Sequence, residues 1–171
     1  MKNFTPFSRI NFDISRVSEK FLSAFLMIAS EKNPFSRQNV VGHITSSGLV
    51  IRNDQALLIF HPFIKKWMQP GGHIDENENP IEAAIREVQE ETGAICRPFA
   101  QYLDPIDIDF HEIPDNPKKS EGRHLHVDLL FLLEVVNEED APEGIQKAWL
   151  PLSKISNHRL RRALVKLGYE I

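Results

Sequence analysis

Cysteine is almost absent from this chain, because its 171 residues include only Cys96. A single cysteine excludes an intramolecular disulfide, and chains without disulfides are typical of reducing compartments, so we expect a cytoplasmic protein. No neighbouring residue in the sequence would activate a thiolate. We therefore expect Cys96 to be a buried structural thiol and not a nucleophile.

Long apolar runs are missing as well. The apolar stretch 21–29 is too short to span a bilayer, and the acidic residues Asp13 and Glu19 before or at its start do not fit the positively charged beginning of a signal peptide. We interpret the stretch as the apolar face of a helix, and we expect no membrane partner.

An excess of positive charge is also lacking: 20 lysines and arginines face 24 aspartates and glutamates, for a net charge of -4. Nucleic-acid binders are normally basic, so a nucleic-acid partner is not expected. A phosphorylated small molecule stays compatible with this balance, since a bound metal ion can reverse the local field. A hydrophobic fraction of 42% is that of an ordinary globular chain.

The chain divides into a short arm and one larger domain. Residues 1–38 form the arm, with a helix predicted over 13–30 and a break at Asn33-Pro34. The arm is too small for a core of its own, so we expect it to pack on the main domain or on a partner subunit. Residues 39–171 form the main domain.

Strands and helices alternate along the main domain. The pattern favours an α/β (α+β) fold with a mixed sheet. The remaining segments 63–69, 114–123 and 137–144 are expected to be loops. Strands are predicted over 40–51, 56–61, 97–103, 106–113, 124–136 and 148–152, with helices from Pro80 to Thr92 and over 156–167.

The most informative segment spans residues 72–94. Glu87, Glu90 and Glu91 fall at i, i+3 and i+4, which places them on one side of a helix. Three crowded carboxylates are unfavourable unless a cation neutralises them, and Mg²⁺ prefers such oxygen ligands beside phosphate. The sequence therefore indicates metal-assisted phosphate chemistry.

This segment resembles the Nudix box of the MutT-like pyrophosphohydrolases. Only the final aliphatic position departs from the pattern, since Ala94 occupies it. The resemblance runs from about Val40 to the end of the chain and leaves the arm outside. The fixed positions are filled by Gly72, Glu78, Arg86, Glu87, Val88, Glu90, Glu91 and Gly93.

The resemblance implies a mixed sheet sandwiched between helices and a hydrolase that cleaves a nucleoside diphosphate linked to another moiety with Mg²⁺ or Mn²⁺. It implies that Glu87, Glu90 and Glu91 hold the metal together with the Gly72 carbonyl. Arg86 is expected to orient a glutamate, and Glu78 to steady the junction between loop and helix.

The general base is open between two glutamates. Glu90 is the first candidate, as a residue of the box itself. Glu143 is the second, because it lies on the acidic loop before the strand that carries Trp149. Glu143 could equally be one solvated charge among the acidic residues of that loop.

Two further strands alternate polar side chains on one face. Asp107, Asp109 and His111 lie on one strand, and His124, His126 and Asp128 on the other. Adjacent strands would bring these six side chains together as a substrate-recognition wall or an extra metal site. Solvent exposure alone is the alternative explanation. A zinc site has weaker support, because no cysteine accompanies these residues.

Nucleobases usually stack on an aromatic ring. Trp67 is the favoured partner because its loop leads into the box, while Phe63, Phe35 and Phe110 are alternatives. Arg37 and His43 flank the first strand of the main domain and could contact phosphate or lie on the surface. A basic stripe on the last helix (Arg159, Arg162 and Lys166) is expected to be solvated.

Other function classes compete with hydrolysis. A non-catalytic nucleotide-binding sensor would be expected to lose box glutamates, and this chain keeps them. An isoprenoid diphosphate isomerase shares the fold, but the complete box favours hydrolysis. RNA decapping is disfavoured by the acidic charge. The expected partner is a small nucleotide or nucleotide-sugar-like molecule of open identity, and the N-terminal helix could mediate a homodimer.

Overall fold

The computed structural model describes residues 18–115 and 122–171. Over these residues, strands and helices alternate and form a mixed sheet flanked by helices, so the predicted α+β class is confirmed. Within the same residues, no helix has the length and apolar character needed to cross a membrane. The elements are α1 (Glu19–Ser30), β1 (Gly42–Arg52), β2 (Gln55–Phe60), β3 (Trp67–Met68), β4 (Gly71–His73), α2 (Pro80–Thr92), β5 (Ala94–Pro98), β6 (Asp107–Ile113), β7 (His124–Glu138), β8 (Lys147–Pro151) and α3 (His158–Lys166).

The long strand β1 organises the sheet. It runs parallel to β7, and its middle pairs antiparallel with β4 through Thr45 opposite His73. Its last residues pair with β2, which also contacts β3 and β8. Strand β7 in turn pairs with β5 and β6. Strand β1 therefore joins the short strand of the box to the polar strands.

The two faces of β1 meet different helices. Ser46 donates a hydrogen bond of 2.5 Å to the Pro80 carbonyl at the start of α2. Thr45 points the other way, toward Asp128, which is bound by Arg159 of α3. Because side chains alternate along a strand, α2 and α3 cover opposite faces of the sheet. Each face has its own apolar core.

Helix α2 begins and ends where the sequence predicts. Asn79 and Glu82 form a reciprocal capping box, and Pro80 occupies the first turn, where its missing N–H costs nothing. Gly93 ends the helix with φ of 71°, a conformation that favours glycine. Ala84 and Val88 are fully buried, so the carboxylates of the helix are left on its other side.

The described part of the arm packs on β6. Helix α1 starts at Glu19 after the cap Ser18, and the predicted start at Asp13 lies outside the described residues. Phe21 stacks on Phe110 with ring centroids 6.1 Å apart, and Phe25 meets the same ring edge-on at 5.8 Å. The apolar stretch is thus the buried side of a helix.

Three predicted segments differ from the structure. The strand predicted over 97–103 is wrong, because β5 begins at Ala94, where pairing with β7 is available, and a turn follows at Phe99. The segment 63–69 is not wholly a loop, since Trp67 and Met68 pair with β2. Strand β7 extends through Glu138 into the predicted acidic loop. Of the predicted loop 114–123, residues 116–121 lie outside the described part of the chain.

Candidate active site

Strand β4 and helix α2 bring the box residues together. A Cβ atom at Gly72 would lie 2.6 Å from Oε1 of Glu87, so any residue other than glycine would require this carboxylate to move. The neighbouring Gly71 N–H donates a hydrogen bond of 2.9 Å to Oε2 of Glu91. Two carboxylates of α2 therefore face the backbone of β4.

Arg86 connects the box carboxylates to each other. Its Nε and Nη2 bind both oxygens of Glu78 at 2.9 Å, while Nη1 donates to Glu87 at 2.9 Å and to Glu90 at 3.0 Å. Nη2 also donates to the His73 carbonyl at 2.8 Å. The hydrogen bonds to Glu78 are the main reason that the pKa of Arg86 is raised. One planar guanidinium thus fixes three carboxylates and the backbone of β4.

Glu78 holds the loop before α2. Besides binding Arg86, it accepts a hydrogen bond of 3.0 Å from the Asp75 N–H. Burial would raise the pKa of Glu78, but the hydrogen bonds from Arg86 and Asp75 outweigh burial and lower it. This carboxylate is therefore anionic and committed to the junction between loop and helix.

The inner carboxylates repel one another. Burial, followed by the charges of Glu87, Glu143 and Glu90, raises the pKa of Glu91 to about 7 against the opposing Gly71 hydrogen bond. Burial also raises the pKa of Glu87, and Glu90 and Glu143 add to the shift despite Arg86. These crowded carboxylates form an all-oxygen donor set, which suits a hard divalent cation.

Glu143 lies next to the box despite its distance in sequence. Its N–H donates to the Glu90 carbonyl at 3.2 Å, which attaches the acidic loop to α2. Its charge is felt at both Glu87 and Glu91. The structure therefore brings both predicted base candidates to one place, and the choice between them stays a prediction.

The two polar strand faces lie side by side. Strands β6 and β7 pair antiparallel, with Asp109 opposite Asp128 and His111 opposite His126. Parallel pairing of β1 with β7 adds His43 opposite His126. The adjacency on which the predicted convergence depended is therefore present.

The carboxylates of these strands are engaged within the protein. Asp128 accepts hydrogen bonds from Thr45, Ser47 and Arg159. Asp107 is 1% exposed and is bound by Arg162 and Lys166 as well as Arg159.

The prediction of a solvated basic stripe on the last helix is wrong, because Arg159 is buried and its neighbours pair with Asp107. Buried carboxylates attract cations that the sequence pattern alone would place in water.

A family model described as the NUDIX domain matches residues 42–167. The chain belongs to the Nudix family.

This Nudix chain has curated relatives and solved structural neighbours. Over 96 residues it is 35% identical to a probable DHNTP pyrophosphohydrolase of Lactococcus lactis subsp. cremoris (strain MG1363), with 56% of each chain covered. Over 78 residues it is 33% identical to an 8-oxo-dGTP diphosphatase of Proteus vulgaris, covering 46% of this chain and 60% of that protein. It therefore spans less than two thirds of the length of either relative.

A solved Nudix structure shares the fold. The chain resembles a hydrolase of the Nudix family from Clostridium perfringens with a TM-score of 0.52 and 27% identity. The comparison covers 74% of this chain and 97% of that one. The likeness extends beyond the box to the arrangement of the whole domain.

The other predicted site residues of this Nudix domain are distributed unevenly. Arg37, His43 and His124 line one cleft of about 380 Å³. Trp67 instead packs on Phe60 with ring centroids 5.5 Å apart, on β3 at the far side of β2. Its packing favours a structural role in the hairpin, and its proposed stacking on a base stays a prediction.

His73 is the polar residue that sequence reasoning missed. It follows Gly72 on β4 and joins the ring cluster of His43 and His126, at centroid distances of 5.1 and 5.3 Å. Its position inside the box segment was visible in the sequence. Its neighbours were not, because the pairing of β4 with β1 is a long-range contact.

Proposed function

We propose that this Nudix protein is a metal-dependent hydrolase that acts on a phosphoric anhydride bond. Its substrate class would be a nucleoside diphosphate linked to another moiety. The main support for this proposal is the close approach of the Gly72 backbone to Glu87, beside the carboxylate of Glu91 that binds the Gly71 N–H. Mg²⁺, or Mn²⁺ in its place, would be held by Glu87, Glu90, Glu91 and the Gly72 carbonyl.

In this proposal Arg86 orients the metal-binding glutamates and Glu90 acts as the general base. When bound, the metal neutralises the pyrophosphate and lowers the pKa of an attacking water. Arg86 keeps Glu87 and Glu90 in register through its two hydrogen bonds from Nη1. Glu90 is 41% exposed, so its carboxylate is open to a water molecule, whereas Glu91 is more buried and one of its oxygens accepts a hydrogen bond from the Gly71 N–H. We therefore assign Glu90 as the general base and keep Glu143 as the alternative.

We infer that the substrate is a small phosphorylated molecule, which a panel of candidates can identify. The two curated relatives are named for DHNTP and 8-oxo-dGTP, so both compounds belong in a test panel. ADP-ribose, dinucleoside polyphosphates, nucleoside triphosphates and CDP-alcohols complete it. The panel is incubated with Mg²⁺ or Mn²⁺ in H₂¹⁸O, and mass spectrometry of the products identifies which phosphorus atom receives the labelled oxygen.

Matched variants separate the box from general effects of charge. Glu91→Gln and Glu90→Gln should each lower turnover by orders of magnitude while the folded protein persists in circular dichroism. Glu76→Gln is the control, because Glu76 lies exposed in the same segment. Turnover close to wild type in both box variants would refute the assignment. Tight nucleotide binding without any product would favour the sensor alternative.

The pH profile distinguishes the two base candidates. Loss of a general base costs about 10²–10⁴-fold in rate and removes the fall in rate at acid pH that protonation of that group causes. We expect this effect for Glu90→Gln and only a modest one for Glu143→Gln. A profile that changes in the Glu143 variant and not in the Glu90 variant would reverse the assignment.

We further propose that the protein forms a homodimer and is located in the cytoplasm. Leu26 and Met27 are exposed on α1 at 59% and 55%, which supports a homodimer formed through this helix. Light scattering after gel filtration tests it, and a monomeric mass at working concentration would reject it. The buried, unpaired Cys96 supports a reducing cytoplasm as the location.

A further inference from the structure

Five histidines gather on the face of the sheet opposite α2. His43 of β1 lies 4.5 Å from His126 of β7 and 5.1 Å from His73 of β4, measured between ring centroids. His124 and His111 flank His126 at 5.0 and 5.4 Å. Five imidazoles within one patch are an unusual concentration, since the whole chain has seven histidines.

The strand register separates this cluster from the box. Gly72 pairs with Ser46, whose side chain faces α2, while His73 pairs with Thr45, whose side chain faces Asp128. Successive residues of β4 therefore point to opposite sides of the sheet. The box carboxylates and the histidines do not share a ligand shell.

His43 is the clearest sign that the cluster binds something. It is only 2% exposed, and neither of its ring nitrogens has a hydrogen-bond partner among the residues that the structure describes. Buried polar groups are nearly always satisfied, because a buried donor or acceptor without a partner is unfavourable. Both nitrogens of one imidazole left in this state indicate a ligand or ion at the site.

His124 and His126 show how such an ion would be held. Their Nε2 atoms lie 3.1 Å apart, and Nδ1 of His124 lies 2.8 Å from the Gly122 carbonyl. An Nδ1–H donated to that carbonyl leaves the lone pair on Nε2, directed into the cluster. A histidine that binds metal characteristically donates its other ring N–H to a carbonyl in this way.

We propose that His43, His73 and His126 bind a transition-metal ion of the zinc class, with His124 able to supply a fourth nitrogen. The potential ligand atoms of the first three lie within 4.8 Å of one another. Tetrahedral Zn²⁺ with bonds of 2.0–2.1 Å separates its nitrogens by about 3.3 Å, so small ring rotations close the site. Imidazole favours Zn²⁺, Ni²⁺ and Cu²⁺ over Mg²⁺.

The charge state of the rings suits this role. Burial and the neighbouring rings lower the pKa of His43 to about 3 and of His126 to about 2. Metal ligands must be neutral imidazoles, so no proton has to be displaced near pH 7. A cleft of about 380 Å³ lined by His43, His73, His124, Arg37 and Gly122 gives an ion access from solvent.

The experiment starts from protein stripped with a chelator. Zn²⁺ is titrated in against a chromophoric competitor, with Mg²⁺ in large excess to occupy the oxygen ligands of the box. We expect one zinc per chain by elemental analysis. A titration without stoichiometric uptake would overturn the site.

Variants locate the bound ion. His43→Gln and His126→Gln should each lower the affinity for Zn²⁺ by more than 10–100-fold, which is the cost of losing a residue that only supports a ligand. His158→Gln is the matched control, because His158 is exposed on α3. Glu91→Gln should leave zinc affinity unchanged, so failure of the hydrolase proposal and failure of this one are distinguishable. If neither His43→Gln nor His126→Gln changes the zinc affinity, the proposal is rejected.

A measurement on the unmutated protein covers the case in which a variant does not fold. X-ray absorption of the zinc-loaded chain should show nitrogen near 2.0–2.1 Å with the outer-shell scattering of imidazole rings. Co²⁺ in place of zinc should give the intense visible bands of a tetrahedral ion. Octahedral coordination by oxygen, in either experiment, would refute the histidine site.

Discussion

The carboxylate of Asp128 and the guanidinium of Arg159 form a buried ion pair that ties β7 to α3. Nη1 of Arg159 lies 2.5 Å from Oδ2 of Asp128. The side chain of Arg159 is 8% exposed and that of Asp128 is 7% exposed. Nη2 donates to the Asp128 carbonyl at 3.0 Å. From the other side, Thr45 and Ser47 of β1 donate to the same carboxylate. One aspartate therefore joins two strands to the last helix.

Removing the arginine should destabilise the fold. Arg159→Met leaves Asp128 buried without its cation, and loss of one partner of a buried pair costs about 3–5 kcal/mol. For a chain of this size the melting temperature should fall by roughly 10 °C. Arg97→Met is the control, because Arg97 pairs with Glu134 in an exposed bridge and should change the melting temperature little. An equal fall in melting temperature in both variants would contradict a stabilising role for the buried pair of Arg159 and Asp128.

Acid should weaken the same region through Asp107. Burial would raise the pKa of Asp107, but hydrogen bonds from Arg162 and Lys166 and the charge of Arg159 lower it below 3.8. The unfolded chain then binds the proton more readily. The stabilisation is complete above about pH 4 and is lost as pH falls through the folded pKa.

Urea titrations between pH 6 and pH 2.5 measure this dependence. Wild-type stability should decline at the acid end, and Asp107→Asn should show a flatter decline from a lower starting value. An Asn variant with the same acid slope as wild type would indicate that other carboxylates carry the effect.

The box could be predicted because its information is local. The spacing of Glu87, Glu90 and Glu91 implies one side of a helix, and Pro80 and Gly93 mark the ends of that helix within 14 residues. Helix propensity, capping residues and motif spacing agree over this segment. Neither the prediction of its helix nor the resemblance to the family therefore required knowledge of long-range contacts.

The rest of the site depends on pairing between distant strands. His43 and His73 meet only because β4 pairs with β1, and Asp107 meets Arg159 across 52 residues of sequence. Alternating polar residues on a strand look the same whether they face water or a buried cation. Residue type and spacing therefore identified Asp107 and His126 as notable without revealing their partners.

The thiol of Cys96 should be unreactive in the folded protein. It is 8% exposed, and burial with the nearby charge of Glu138 raises its pKa to about 12. Because the thiolate is the reactive form, a disulfide reagent at pH 8 should titrate less than one tenth of the thiol over an hour. In 8 M urea the same chain should react fully within minutes, which serves as the control. Rapid labelling without urea would contradict this burial.

The two glycines of β4 should respond differently to the same added methyl group. At Gly72 a Cβ would meet the carboxylate of Glu87, the movable end of a side chain, at 2.6–2.8 Å. Gly72→Ala should therefore fold with nearly unchanged melting temperature but require much more Mg²⁺ for turnover, because Glu87 must move. At Gly71 a Cβ would lie 2.6 Å from the Ser46 carbonyl oxygen and from Cα of Ser47, which are backbone atoms and cannot yield. Gly71→Ala should lower the melting temperature markedly. Thermal unfolding and Mg²⁺ titrations of both variants make the comparison, and a Gly72→Ala protein with wild-type Mg²⁺ dependence would separate this glycine from the metal site.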